Sequence, residues 1–387
     1  SSSDREEIVE EEEEESEDSD DGEGNLGRLF AERIQWPKQT LTYRSQVVEE
    51  LVRGVIRIFQ GLFTKKFFPV LQPPIGVGST FEGWSPQEDD AVYSLLIPMN
   101  PPSGHIFHVE LGTPGEIPAK HARICVELEC TCKNEQLVGN MLCFLHHSEE
   151  ELKRNQGPSL LHTLCTGSYL DVQKTVRWFQ KFVRSAWMLL PQSRHYCMTV
   201  LLSSRSCKLQ ITSTFKRTYF VEIMFGVQQG DSDIFMSSQS TEASSTSNTM
   251  WPETYAVAEV KFFRCIASQA PRDSFHLKCL QLCARILVGT GFSTYAFKTA
   301  VMHLLTTIPL SGWRRKHFLQ RLVDSMSYLR CCLEEKRLNH FFIGNENVPG
   351  EIHLPLACQR AEPFNLFWYL VQDPAAHAKA LHDFSKL

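Results

Sequence analysis

The sequence predicts an α+β protein, with a mixed β-sheet core followed by a C-terminal helical bundle. Three observations predict it. Strand-like runs concentrate between Val92 and Cys265. From about Ser274 onward the apolar residues recur instead at three- and four-residue steps, the period of a helix face. A Gly78-Ser79 turn stands ahead of an acidic pair, Glu88 and Asp90, an arrangement suited to phosphate and metal at the entry to a sheet. With 387 residues, 42% hydrophobic and 22% charged, the chain can build one large or two medium domains. The expected division is an acidic leader over 1–25, a sheet core with an N-terminal helix over 26–270, and a helical domain over 271–387.

Taken in order, the leader holds six consecutive glutamates, Glu10–Glu15. Such a stretch cannot bury apolar surface and is expected to be disordered. Ser16 and Ser19 sit among these acids, a setting that suits acid-directed kinases. From Ser45, the residues Val48, Leu51, Val52, Val55, Ile56, Phe59, Leu62 and Phe63 predict an amphipathic helix ending near Lys65-Lys66. Pro69, Pro73 and Pro74 then favour an extended approach to the Gly-Ser turn. Strands are predicted at 92–97, 105–111, 123–132, 196–202, 207–212, 218–226 and 255–265, with a helix over 170–188. The Ser/Thr-rich stretch 229–250 reads as a long loop. Helices are predicted over 277–288, 294–307, 317–333 and 364–384.

The formal net charge of −6 conceals an uneven distribution. Residues 1–25 carry fourteen acidic side chains and one arginine, a charge of −13, which leaves +7 on the rest. A basic body could bind polyanions or dock its own leader, although a solvated tail is the plainer reading. Thirteen cysteines, odd in number and irregular in spacing, argue against a disulfide framework and for a reducing compartment. No run of eighteen apolar residues is present in the sequence.

The chemistry centres on the carboxylates. If Glu88 and Asp90 lie on a strand, they project from one face, and two adjacent carboxylates repel unless a cation separates them. Two-metal phosphoryl chemistry needs a third carboxylate from a neighbouring strand, and Glu222 in Tyr219–Phe225 is the candidate. The alternative for Glu222 is a strand-end glutamate that faces solvent or pairs with Lys216 or Arg217. Backbone N–H groups at Gly78 and the Ser79 hydroxyl would cradle a phosphate. Together these residues outline a nucleotidyltransferase-type site taking nucleotide with Mg²⁺ or Mn²⁺.

The pattern Gly78-Ser79…Glu88-x-Asp90…Glu222 resembles that of the Mab-21-like, cyclic GMP-AMP synthase-like nucleotidyltransferase-fold superfamily. Phe297-Lys298-Thr299-Ala300, Ile308-Pro309, Trp313 and Leu338-Asn339-His340-Phe341-Phe342-Ile343, with Asn345 or Asn347 trailing, resemble its helical-half signature. Phe81-Glu82-Gly83-Trp84, Cys143-Phe144-Leu145-His146-His147 and Ala258-Glu259-Val260-Lys261-Phe262-Phe263 are similar to the inositol trisphosphate receptor-interacting protein-like branch. The resemblance spans roughly 45–387.

It implies a nucleotidyltransferase-fold core and a C-terminal helical bundle. It also implies the cytoplasmic part of a single-pass membrane protein, anchored by a segment absent from this sequence, that modulates the inositol trisphosphate receptor calcium channel. Most of the superfamily is non-catalytic, and Glu222 stands where active relatives carry the shorter Asp. The leading expectation is therefore an interaction protein without turnover. A metal-dependent nucleotidyltransferase and a polyanion sensor, with the leader as competitor, are the alternatives.

Two further clusters are candidates. Cys130, Cys132, Cys143, His146 and His147 have a spacing that zinc could use, but the pattern differs from the zinc insertion of cyclic GMP-AMP synthase. Buried thiols, with Cys130 and Cys132 on a strand face and a histidine pair at a helix end, are the expected arrangement, and no zinc site is expected. Arg314, Arg315 and Lys316 form a basic patch able to meet phosphates, or simply a solvated helix start. No aromatic interleaving points to specific nucleic-acid binding.

Overall fold

A computed structural model describes residues 38–87, 89–133, 141–239 and 246–387. The acidic leader, Glu88 and part of the Ser/Thr-rich stretch lie outside the described residues. The first helix, α1 (Lys38–Leu62), presents Val48, Leu51, Val52, Val55, Ile56 and Phe59 on one buried face, as its apolar spacing requires. Short strands β1 (Val70–Leu71) and β2 (Ile75–Val77) lead into a five-residue helix, α2 (Gly78–Glu82). The long strand β3 (Val92–Asn100) follows, then β4 (His105–Glu110) and β5 (Arg123–Leu128). Next come α3 (Glu149–Asn155), α4 (Leu160–Thr163), β6 (Cys165–Thr166), β7 (Tyr169–Leu170) and α5 (Val172–Leu189). Strands β8 (Tyr196–Leu201), β9 (Cys207–Ser213), β10 (Thr218–Gln228), β11 (Phe235–Ser237) and β12 (Glu253–Thr254) complete the sheets.

Strand β3 lies at the centre of an eight-stranded mixed sheet. It pairs parallel to β10, with Glu222 opposite Ser94, and antiparallel to β1 and β2. Strand β10 continues antiparallel to β9 and β11. A second sheet runs in the order β4-β5-β7-β6. Both faces of β3 and β10 are covered, so their apolar residues run almost without interruption. Tyr93, Leu95 and Ile97, with Val221, Ile223 and Phe225, pack against α1 and α5, where Phe59 stacks on Phe179 with ring centres 4.5 Å apart. Leu96 and Met224 face the opposite way, toward Val257 and Val260.

Those last two residues belong to α6 (Ala256–Gln269), a helix where a strand is expected over 255–265. A short apolar run buried on several sides reads alike in either conformation. The helical half continues through α7 (His276–Leu287), α8 (Thr294–Thr307), α9 (Phe318–Glu335) and α10 (Leu356–Arg360). The single helix expected over 364–384 is instead two, α11 (Trp368–Gln372) and α12 (Pro374–Phe384). Pro374 has no N–H to continue the first helix, and the Asp373 carboxylate caps the second, accepting from Ala375 and Ala376. The long loop expected over 229–250 contains β11. Among the described residues, no helix is long and apolar enough to cross a membrane.

Candidate functional site

The Gly-Ser turn connects β2 to α2. Gly78 has φ +82°, a left-handed conformation that a side chain would strain. Helix α2 ends at Gly83, also left-handed at φ +89°, whose N–H donates to the Ser79 carbonyl at 3.0 Å. Thr80 Oγ1 donates to the Val92 carbonyl at 2.8 Å, stitching α2 to the start of β3. Beside this helix, β3 and β10 present aromatic rings. Buried Tyr93 and Tyr219 lie 5.9 Å apart, and Phe81 of α2 meets Tyr93 edge-on at 6.3 Å.

The carboxylates are placed differently from one another. Asp90 is exposed in the turn before β3, so it does not share a strand face as expected. Its neighbour Asp89 approaches Arg44 at 3.8 Å. Glu222 lies within β10, on the same face as Met224, and its Oε1 accepts from Ser206 Oγ at 2.9 Å and Gln239 Nε2 at 3.0 Å. These polar partners, rather than Lys216 or Arg217, satisfy it. The register partner of Glu222, Ser94, stands four residues past Asp90.

A different charged cluster occupies the region. Glu82 at the end of α2, Glu259 on α6 and Lys298 on α8 meet in the interior. Lys298 Nζ is 2.7 Å from Glu82 Oε1 and 3.0 Å from Glu259 Oε2. Trp84 Nε1 donates to Glu82 Oε1 at 3.1 Å. Burial pushes the Glu82 carboxyl up, against the pull of Lys298. Burial alone would lower the Lys298 ammonium, but Glu259 and Glu82 outweigh it and raise it. The Tyr295 hydroxyl, held un-ionised by burial and by the charge of nearby Glu259, lies 3.3 Å from His340 Nε2. Burial lowers His340 to about 4, keeping it neutral near pH 7.

Sequence reasoning did not assign this cluster as a site. A signal was available: Glu259 and Lys298 each place a charge inside an apolar run, which is costly unless paired. Three separately noted motifs, Phe81–Trp84, Ala258–Phe263 and Phe297–Ala300, meet here.

The basic patch is partly engaged in structure. Arg314 Nε lies 3.9 Å from Asp273 Oδ1, the Arg315 guanidinium sits 5.8 Å from the Phe275 ring centre, and Lys316 is exposed. The cysteines and histidine depart from expectation. Cys130 and Cys132 lie beyond the end of β5 and are exposed, and Cys143 and His146 lie in a turn outside any helix. The ligand atoms of Cys130, Cys132, Cys143 and His146 are all within 4.8 Å of one another. Among the described residues, this is the only such group of three or more Cys, His, Asp or Glu side chains.

A mixed sheet fused to a helical half whose ion cluster grips the Gly-Ser helix defines a Mab-21-type protein of nucleotidyltransferase-like fold. Residues 277–353 match the Mab-21 protein HhH/H2TH-like domain. The chain is similar to inositol 1,4,5-trisphosphate receptor-interacting protein-like 1 of Rattus norvegicus, 34% identical over 372 residues, covering 94% of this chain and 68% of the relative. The Mus musculus counterpart is 33% identical with the same coverage. Inositol 1,4,5-trisphosphate receptor-interacting protein of Homo sapiens is 28% identical over 391 residues, covering 94% of this chain and 70% of that protein. The chain belongs to the inositol 1,4,5-trisphosphate receptor-interacting protein family.

Proposed function

We propose that this chain is a non-catalytic interaction protein of nucleotidyltransferase fold that binds an inositol trisphosphate receptor at the cytoplasmic face of a membrane and regulates its calcium signalling. The observation that carries this reading is similarity along 94% of the chain to proteins named for interaction with that receptor. The receptor is a membrane channel, which supports membrane tethering. Thirteen free cysteines support a reducing, cytoplasmic setting. Two features of the site support an absence of turnover. Glu222 is already satisfied by Ser206 and Gln239, and Asp90 lies exposed in the turn before β3. Glu82, nearest to the Gly-Ser turn, is committed to Lys298. The turn is thereby tied to the helical half, giving a stiff body that offers surface to a partner.

The test is binding of the purified chain to receptor-containing membranes, with and without inositol trisphosphate. Wild type and the double variant Glu88→Gln, Asp90→Asn are expected to bind equally. No binding in either condition would overturn the receptor reading. Labelled nucleotide incorporation that disappears in Asp90→Ala would overturn the absence of turnover.

A further inference from the structure

We infer that Cys130, Cys132, Cys143 and His146 bind a zinc ion in a closed, structural Cys₃His site. His146 Nδ1 lies 3.3 Å from Cys130 Sγ, 3.0 Å from Cys132 Sγ and 3.5 Å from Cys143 Sγ. A zinc ion with bonds of about 2.3 Å to sulfur and 2.0–2.1 Å to nitrogen, at tetrahedral angles, separates nitrogen from each sulfur by roughly 3.5 Å. The observed spacings are those of such a shell, slightly contracted.

Hydrogen bonding alone does not account for the arrangement. One ring nitrogen offers a single lone pair or a single proton, yet three sulfurs converge on it. Disulfide chemistry does not account for it either, because all of these cysteines are free.

The local chain is built for the purpose. Glu129 N–H donates to the Gly104 carbonyl at 2.8 Å, extending the β4–β5 pairing to the residue before Cys130. The chain then turns, and Cys132 rejoins Cys130 at the same point. On the other side, His146 N–H reaches back to the Cys143 carbonyl, closing a Cys-x-x-His turn. Phe144, inside the turn, packs against Phe67 at 4.6 Å and His105 at 5.4 Å, holding the turn to the body.

Three thiolates and an imidazole form a soft donor set that favours zinc over magnesium or calcium. Four protein ligands leave no open position, so the ion would staple the segment after β5 to the 143–146 turn rather than activate water.

The 387-residue chain, purified under reducing conditions and supplemented with zinc, is expected to retain about one equivalent after desalting, measured by mass spectrometry of the metal. Cys132→Ser and His146→Gln should each lose most of it. Cys197→Ser and Cys331→Ser, exposed cysteines elsewhere, should keep it. Because a ligand variant can misfold, wild type supplies two further readouts. Cobalt(II) in place of zinc should give a tetrahedral spectrum with thiolate charge transfer. Cys130 and Cys132 should resist alkylation until a chelator is added. Wild type holding below about a tenth of an equivalent, an octahedral cobalt spectrum, or chelator-independent alkylation of both exposed thiols would overturn the assignment.

Discussion

Lys298 Nζ sits 2.7 Å from Glu82 Oε1 although the two residues are 216 positions apart in the chain. The contact joins α8 of the helical half to the short helix that follows the Gly-Ser turn. Both side chains are buried, so neither charge has water to fall back on. Removing one partner would strand the other in a medium that penalises it heavily.

We therefore predict that Lys298→Ala lowers stability by about 3–5 kcal/mol, read from the denaturant midpoint. The triple change Lys298→Met, Glu82→Gln, Glu259→Gln should recover much of the loss, because it leaves no charge unpaired. A triple variant no better than the single one would show that the cluster acts through shape rather than charge.

His340 gives a pH prediction. Burial depresses it from its ordinary value near 6.5 to about 4. The unfolded chain takes up that proton first as pH falls. The contribution of this residue to stability is thus complete above about pH 6.5 and lost progressively toward pH 4. His105 and His303, also lowered by burial, act in the same direction. Glu82, raised by burial, acts oppositely: its contribution is present at low pH and declines as pH rises past 4.5. The clean readout is a difference. His340→Gln should flatten the fall in denaturant midpoint between pH 7 and pH 5, and an unchanged slope would assign the titration to another group.

At the α1–α5 contact, Phe59 is 1% exposed and touches both Phe179 and Trp178. Phe59→Ala is expected to cost about 3–5 kcal/mol by loss of transfer energy and formation of a cavity. Denaturant unfolding checks this; a cost below about 1 kcal/mol would mean that α1 is not integral to the sheet core.

The nucleotide question has a simple thermal test. With Glu222 satisfied by Ser206 and Gln239 and Glu82 committed to Lys298, ATP or GTP with Mg²⁺ or Mn²⁺ should leave the melting temperature unchanged. Ligand binding to the native state raises the midpoint by mass action, so a reproducible rise would restore the nucleotidyltransferase reading.

Much of the architecture was legible as periodicity. The Thr294–Thr307 helix and the Thr218–Gln228 strand follow from residue spacing because burial on one or both faces writes a period into the chain. Helix α6 was misread because an apolar run buried on several sides loses that period. The break at Asp373-Pro374 was written in the sequence, as a cap followed by a residue without an N–H.

The sequence by itself determined the class of fold, the family resemblance and the positions of the unusual charges. Only the tertiary structure decided which of those residues meet. Glu82, Glu259 and Lys298 converge because packing brings α2, α6 and α8 together, and Glu222 meets Ser206 and Gln239 rather than its sequence neighbours Lys216 and Arg217. Local patterning controls how a segment coils or extends, but the distance between side chains far apart in the chain depends on packing, which no window of residues contains.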